Sequence, residues 1–310
     1  MTDLKTRNGA PLSRFTFGAM QFGGKADDAE SKAMFDAARA SGINHFDTAV
    51  GYTEGASETI LGALIKPARD DIYLATKAGY IGGTSRANIL AQFDLSRQRL
   101  NEDAVDLLYM HRFDDATPLE ETFATLADLQ SRGLIRHIGV SNYAAWQVMK
   151  AQAIAQSLGT RIDVIQPMYN LVKRQSEVEI FPMAADQDIV VVPYSPLGGG
   201  LLTGKYGKGE TGRLTEDARY RARYDQEWMR ETAGKLAELG ARRGVTPTTL
   251  AVAWAAGHPV KPRPIISARS VGQLQPSLAA ASFEMSPDLY DQITKLSVTP
   301  PPATDRLEEL

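Results

Sequence analysis

Eight short apolar segments alternate with helical patterns along this chain, and this alternation limits its possible folds more than any other feature. Residues 189–192 read Ile-Val-Val-Val, a continuous apolar run typical of a strand that is buried on both faces. Strands that alternate with helices form parallel βαβ units. Eight such units without a change in composition favour one closed (β/α)8 TIM barrel over an open doubly wound sheet. We therefore predict a single domain over residues 1–310.

The predicted strands share short apolar runs and lie near 14–18 and at 43–49, 71–77, 105–111, 135–140, 163–167, 189–194 and 264–268. The predicted helices that follow them occupy 28–40, 57–65, 86–100, 118–131, 144–157, 176–186, 226–242 and 271–281. The lengths of these segments are ordinary for an α/β barrel.

Three further segments complete the predicted α/β fold class, a (β/α)8 TIM barrel with an N-terminal β-hairpin and two extra helices. The hairpin covers residues 3–15, because Asn8-Gly9 is a strong turn signal. One extra helix covers 246–256, with Thr246 as its N-cap and a proline in its first turn. Residues 198–225 contain seven glycines and are too long for a simple connection, which predicts a functional loop or lid.

Composition excludes several classes of function. The formal net charge of −3 argues against a nucleic-acid or acidic-membrane surface, and the absence of cysteine excludes disulfides, thiolate metal sites and a cysteine nucleophile. The N-terminal residues have no apolar signal region, and no apolar run has the length of a membrane span, so we expect a cytoplasmic protein. The four histidines show no ligand spacing with carboxylates, so we predict no metal site.

Four ionisable residues stand at or just after the ends of three consecutive predicted strands. Asp47 and Lys77 end two of them, His111 ends the next, and Tyr52 follows Asp47 in a loop. Aspartate is depleted in strands, and a buried charge needs a partner. Each residue alone could be an ordinary polar strand end. The ends of barrel strands form one face, so the four together favour a shared active site.

These residue types are suited to proton transfer at a carbonyl or alcohol oxygen. Asp47 would keep Lys77 charged, and the Lys77 ammonium would lower the pKa of Tyr52 by favouring its phenolate. Tyr52 could then give a proton to a developing alkoxide as a general acid. His111 would donate a second hydrogen bond to the same oxygen. The hydride for such a reaction must come from a cofactor.

Five motifs contain these residues or follow them in order, namely Asp47-Thr-Ala-Val-Gly-Tyr52, Ala75-Thr-Lys77-Ala, Leu107-Leu-Tyr-Met-His111-Arg, Ile138-Gly-Val-Ser-Asn142 and Tyr194-Ser-Pro-Leu-Gly-Gly-Gly-Leu-Leu-Thr-Gly-Lys205. Together they resemble the aldo-keto reductases, in the branch that includes bacterial reductases and potassium-channel β subunits. The resemblance covers essentially the whole chain. It implies reduction of a small-molecule aldehyde or ketone with NADP(H), with NAD(H) also possible.

The resemblance also implies a nicotinamide site. The side chains of Ser141, Asn142 and Gln166 would hold the carboxamide, and Tyr194 would stack on the ring. Matched donors and acceptors suit an amide, and an aromatic face fixes one side of a ring. From the residues alone, Asn142 could instead cap a helix, and Gln166, which precedes Pro167, could lie in a plain turn.

The rest of the predicted nucleotide site combines glycines with cations. The glycine run at 198–200 would let backbone amides approach a pyrophosphate, and Lys205 would add positive charge. Arg269 resembles the family's residue for the adenosine 2′-phosphate, although a surface arginine is an equal alternative. The family often has Gly and Asn where this chain has Ser267 and Ser277, which leaves strict NADP preference open. The other predicted cofactor-binding residues are Gly18, Met20, Gln21, Ser195, Leu197, Gly199, Arg213 and Gln273.

Two alternatives remain open. One is a regulatory or redox-sensing protein that binds NADP(H) and turns over slowly, and the other is an aldolase that uses Lys77 as a Schiff base. The sequence determines neither the oligomeric state nor the identity of the substrate. We expect the substrate to be selected by loops near Phe22, Tyr52, Tyr80, Phe113 and 206–225.

Overall fold

The computed structural model describes residues 4–309 and contains eight parallel strands that surround a common interior. The strands are β1 Thr16–Gly18, β2 His45–Asp47, β3 Tyr73–Ala78, β4 Val105–Met110, β5 Ile135–Ser141, β6 Val164–Gln166, β7 Val190–Val191 and β8 Ile265–Ile266. From β1 to β7 each strand pairs with the next one along the chain, and β8 pairs with β1. This order is that of a barrel.

Two backbone hydrogen bonds join the last strand to the seventh. The N–H of Arg263 donates to the carbonyl of Val191, and the N–H of Ile265 donates to the carbonyl of Pro193, both at 2.8 Å. They leave no open edge between β7 and β8. The predicted (β/α)8 barrel is therefore confirmed.

Twelve α-helices are assigned within residues 4–309, most of them on the outside of the barrel. They are α1 Asp28–Ala40, α2 Ala56–Ile65, α3 Arg86–Leu100, α4 Leu119–Ser131, α5 Ala145–Ser157, α6 Ile180–Asp186, α7 Arg213–Glu216, α8 Ala218–Tyr224, α9 Glu227–Arg243, α10 Pro247–Ala256, α11 Val271–Leu278 and α12 Pro287–Thr294. No helix in this part of the chain is both long and apolar enough to cross a membrane.

Helices α10 and α12 lie outside the strand–helix alternation. Helix α10 was predicted from the sequence, and the Thr246 hydroxyl accepts the backbone N–H of Thr249 as predicted for its N-cap. Helix α12, which begins after the N-cap Ser286, was not predicted. The glycine-rich segment 198–225, which we predicted to be a loop or lid, contains the short helices α7 and α8.

Only one helix start that we predicted differs from the structure by more than one residue. Pro118, the predicted start of α4, is its N-cap, one residue before Leu119. Helix α6 begins at Ile180, four residues later than predicted, after a separate 3₁₀ turn at Gln175–Glu177. Proline has no N–H for a helical hydrogen bond, and Pro182 therefore fits only in the first turn of this helix.

The N-terminal segment closes one end of the barrel as a hairpin. The N–H of Thr6 donates to the carbonyl of Ala10 at 3.0 Å, around the predicted turn. The N–H of Asn8 donates to the carbonyl of Asp70, just before β3. Leu4 and Leu12 pack against apolar residues of the barrel interior. The hairpin therefore covers the N-terminal ends of the strands, and the C-terminal ends remain available for chemistry.

Candidate active site

Asp47 and Lys77 form a buried ion pair between the ends of β2 and β3. The Lys77 ammonium donates to the Asp47 carboxylate and, at 2.8 Å, to the carbonyl of Thr48. The side-chain amide of Gln166 donates to the other Asp47 oxygen at 2.9 Å.

Burial lowers the pKa of Lys77, but Asp47 and Tyr52 outweigh this effect and raise it overall. Burial raises the pKa of Asp47, and Lys77 opposes that rise. Lys77 is thus held as a cation.

Tyr52 stands beside this pair, at the start of a 3₁₀ turn, Tyr52–Gly55, that follows β2. The Lys77 Nζ atom lies 5.1 Å from the centroid of its ring. Burial raises the pKa of Tyr52 above its ordinary value, and Lys77 cancels only part of this rise. Lys77 therefore lowers the pKa of Tyr52 as predicted, but removal from water disfavours the phenolate more than the nearby ammonium favours it, and the net effect is a raised pKa.

The turn that carries Tyr52 has an unusual backbone. Thr53 and Glu54, neither of them glycine, adopt left-handed φ values of 47° and 56°. The Thr53 hydroxyl donates to the carbonyl of Phe22 at 2.8 Å and accepts the N–H of Ser57 at 2.9 Å. Side-chain hydrogen bonds therefore stabilise a conformation that most residues avoid, and they fix the start of the turn at Tyr52.

A second group of contacts supports the same loop from behind, and our sequence analysis did not identify it. The Arg99 guanidinium on α3 donates to the carbonyl of Val50 at 2.8 Å and lies 3.7 Å from the Glu58 carboxylate. Glu58 is fully buried in α2 and accepts the hydroxyl of Thr76 at 2.6 Å. One sequence signal existed, because Glu58 lies on the same helical face as the apolar Leu61.

His111 follows β4 and faces Tyr52 from the other side. The two ring centroids are 5.8 Å apart, with an edge-on interplanar angle of 82°. Burial, with the nearby charges of Lys77 and Arg112, lowers the pKa of His111 to about 3. The imidazole is therefore neutral near pH 7 and has one N–H to donate. Within residues 4–309, no group of three or more histidine, aspartate or glutamate side chains could hold a metal ion.

Hydrogen bonds connect the ends of the strands on the far side of the site. The Ser141 hydroxyl donates to the carbonyl of Gln166 at 2.9 Å. The Asn142 amide donates to the carbonyl of His111 at 2.9 Å and accepts the Tyr194 hydroxyl at 2.7 Å. The N-cap of α5 is Ala144, so Asn142 does not cap that helix. Gln166 is the last residue of β6 and is not in a plain turn.

The glycine-rich segment brings cations to the same end of the barrel. Gly199 and Gly200 have left-handed φ values, and a Cβ atom on Gly199 would lie 2.7 Å from the Tyr220 ring. Close packing of Tyr220 therefore already requires glycine at 199. Burial lowers the pKa of Lys205, and the positive charge of Arg269 acts in the same direction.

The donor set at this end of the barrel fits a phosphate-containing dinucleotide. Lys205, Arg213 and Arg269 supply positive charge, and the Ser267 hydroxyl is buried without a hydrogen-bond partner among residues 4–309. Such an unpaired polar atom is expected where a ligand supplies the missing partner. Two of the predicted cofactor-binding residues, Asn142 and Gln273, are exposed. Nine others are half-buried, namely Met20, Tyr194, Ser195, Leu197, Gly199, Lys205, Arg213, Ser267 and Arg269.

Several other residues predicted to contact the cofactor or the substrate are buried, and their contacts within the protein explain their presence. A Cβ atom on Gly18 would lie 2.7 Å from an Ile265 methyl, so the contact of β1 with β8 requires this glycine. Ser277 is buried within α11, and a nucleotide could reach it only if the surrounding side chains moved apart. Gln21 is largely buried, and Phe22 is fully buried in the core, which excludes it from lining a substrate pocket.

Aromatic side chains lie beside His111 and just after it in the chain. The Tyr80 ring lies 4.9 Å from the His111 ring and is about half exposed. The Phe113 ring lies 6.1 Å from the ring of the exposed Trp146, measured between centroids. A small apolar or aromatic compound beside His111 would contact the Tyr80 ring.

Comparisons with known proteins agree with this geometry. The family model described as "Aldo/keto reductase family" matches residues 14–298. A probable voltage-gated potassium channel subunit beta from Oryza sativa subsp. japonica is 30% identical over 321 residues, which cover 96% of this chain and 97% of the relative. The uncharacterized oxidoreductase YrpG from Bacillus subtilis (strain 168) is 31% identical, with 94% of each chain covered. Aldo-keto reductase family 7 member A3 from Homo sapiens is 38% identical over 225 residues, or 68% of each chain.

Proposed function

The chain belongs to the aldo/keto reductase family, as its motifs predicted, and we propose that it is an NADP(H)-dependent oxidoreductase that reduces an aldehyde or ketone to an alcohol. Family membership supports oxidoreductase activity on carbonyl compounds, and the nucleotide and the residue roles are part of our proposal. The main support for this proposal is the position of Tyr52. Its ring centroid lies 5.1 Å from the Nζ atom of the buried Lys77, and its ring is edge-on to that of His111.

Tyr52 acts as the general acid in this proposal. Its raised pKa keeps the hydroxyl protonated at neutral pH, so a proton is available for the substrate oxygen. As that proton leaves, the Lys77 ammonium stabilises the developing phenolate charge. The neutral His111 imidazole donates a hydrogen bond to the same substrate oxygen. The nicotinamide supplies the hydride when it is bound.

We propose cofactor contacts for the polar side chains at the C-terminal ends of the strands. Asn142 and the buried Ser141 hydroxyl behind it, which accepts the Asn142 amide at 3.1 Å, hold the carboxamide. Tyr194 stacks against the ring, in agreement with its hydrogen bond to Asn142. Lys205 and Arg213 attract the phosphates. We assign Gln166 an additional role, because its amide N–H₂ group already donates to Asp47 and orients that carboxylate.

Reduction assays with a panel of aldehydes and ketones test this proposal. We expect oxidation of NADPH with some of these carbonyls, and a Tyr52→Phe variant that loses about 10²–10⁴-fold in rate while it still binds NADPH. Tyr80→Phe is the matched control, because it removes a hydroxyl at the same opening without a proposed role in proton transfer. Near-wild-type turnover by Tyr52→Phe would remove this residue from the mechanism.

A regulatory or redox-sensing NADP(H)-binding protein is the second candidate function. It is favoured by the 30% identity to a probable potassium channel subunit beta, which extends over nearly the whole chain. The same assay separates the two candidates. Tight NADPH binding with slow turnover of every carbonyl in the panel would favour the regulatory function.

A further inference from the structure

Arg269, the predicted partner of a 2′-phosphate, is already paired with a carboxylate of this protein. It lies between β8 and α11, and its guanidinium donates to the Glu216 carboxylate at 3.1 Å. Glu216 is the last residue of α7, in the glycine-rich segment. Both side chains retain access to solvent, at 28% for Arg269 and 43% for Glu216. The pair is therefore open to competition from a dissolved anion.

A second carboxylate, that of Glu30, binds the other group that could hold an anion at this position, the N-terminus of α11. Glu30 on α1 accepts the backbone N–H of Val271, the first residue of α11. Helix N-termini attract anions because their first N–H groups are free and the helix dipole is positive there. Both groups that would bind a phosphate at this position, a guanidinium and a helix N-terminus, are thus bound to carboxylates of the protein itself.

Glu30 and Glu216 differ in the group that each one binds and in the charges nearby. Glu30 is bound to a backbone N–H of α11, whereas Glu216 is bound to the guanidinium at the end of the Arg269 side chain. Glu216 also lies within electrostatic reach of Lys205, together with Glu210 and Arg213. A phosphate is attracted by these cations and repelled by Glu216. Of the two carboxylates, Glu216 is the one that an incoming phosphate would have to displace from Arg269.

We propose that Glu216 is a specificity-determining residue that competes with the 2′-phosphate of the cofactor for Arg269 and so reduces the preference for NADPH over NADH. This inference depends on the proposed function. NADH carries a neutral 2′-hydroxyl at the corresponding position, so its binding does not require the ion pair to break. NADPH binding requires the pair to break, or the phosphate to share Arg269 with a like charge.

Equilibrium titration of NADPH and NADH, followed by protein fluorescence, tests the role of Glu216. Glu216→Gln keeps the size of the side chain and removes its charge. We expect this variant to bind NADPH about fivefold more tightly, which corresponds to about 1 kcal/mol, with little change for NADH. Glu210→Gln is the matched control, because Glu210 is an exposed carboxylate in the same segment that acts on Lys205, and no hydrogen bond or ion pair found among residues 4–309 joins it to Arg269. Its removal should therefore change the affinities for NADPH and NADH alike.

A double variant tests whether the effect acts through Arg269. Glu216→Gln in an Arg269→Ala background should give no further gain in NADPH affinity. Adenosine 2′,5′-bisphosphate and adenosine 5′-monophosphate serve as fragment probes, and only the first should respond to Glu216→Gln. The inference is overturned if Glu216→Gln changes the affinities for NADPH and NADH equally, or changes neither. If the wild-type protein binds neither dinucleotide, the proposed function itself fails.

Discussion

Lys77 and Asp47 form an ion pair inside the barrel, where the Lys77 side chain is fully buried and that of Asp47 is 3% exposed. Removing two charges from water is costly, and the pair persists because each group has further partners. Thr48 accepts from Lys77, and Gln166 donates to Asp47. The group that supports Tyr52 is therefore also a part of the folded core, and its removal should affect both stability and activity.

Lys77→Met should destabilise the protein by about 3–5 kcal/mol, because it leaves Asp47 as a buried charge without its cation. Urea unfolding monitored by circular dichroism measures this change. The double variant Asp47→Asn/Lys77→Met should recover most of the stability while carbonyl reduction stays lost. A Lys77→Met protein as stable as the wild type would show that the pair does not contribute as we infer.

Arg99→Ala should reduce carbonyl reduction up to about 10²-fold, because the loop before Tyr52 loses the hydrogen bond to Val50, and small displacements of a catalytic group are costly. The predicted effect is on kcat, with NADPH affinity retained. Arg97→Ala is the control, because Arg97 lies on the same helix and pairs instead with Asp94. Equal kinetics in the two variants would argue against a positioning role for Arg99.

Two substitutions of Tyr194 should distinguish what its ring and its hydroxyl each contribute to NADPH affinity. Tyr194→Phe keeps the aromatic face and loses the hydrogen bond to Asn142, which water can replace, so NADPH affinity should fall by less than about threefold. Tyr194→Leu also removes the face, and the further loss should be up to about tenfold. Fluorescence titration measures both. If the Phe variant is the weaker binder, the hydroxyl matters more than stacking.

His45 should make the protein less stable as the pH falls. Burial, with the charges of Arg263 and Lys77, lowers the pKa of His45 to about 3. The unfolded chain has a histidine pKa of about 6.5, so between these two values the unfolded state binds more protons than the folded state. The contribution of His45 to stability is therefore present above about pH 6.5 and is lost as the pH falls toward about 3.

The predicted loss from His45 is about 1.6 kcal/mol between about pH 6.5 and pH 5, because the slope rises from half of about 1.4 kcal/mol per pH unit at pH 6.5 toward its full value. Urea unfolding of the wild type and of His45→Asn over this range tests it. Asparagine retains a polar group near the Thr16 hydroxyl, which bonds His45 Nδ1 at 2.8 Å. The variant should lose less stability than the wild type, and parallel pH profiles would contradict the prediction.

The sequence by itself determined the features of this protein that depend on local rules. The bounds of α1 and α3 agree with the predicted 28–40 and 86–100, because Asp27 and Ser85 cap these helices with their side chains. The barrel followed from the repeated alternation of buried strands and helices. The same alternation predicted that Asp47, Lys77 and His111 would meet, because parallel strands place their C-terminal ends on one face.

Only the tertiary structure decided features that depend on distances between remote residues. The pKa of Tyr52 rises because burial outweighs the effect of Lys77, and this balance requires coordinates. Glu216 and Arg269 are 53 residues apart, and no periodicity of either segment predicts their contact. The Arg99–Val50 hydrogen bond likewise joins a helix to a loop 49 residues earlier. Local patterns specify which segments form helices and strands, whereas burial and long-range pairing specify which side chains are charged, engaged or free to bind.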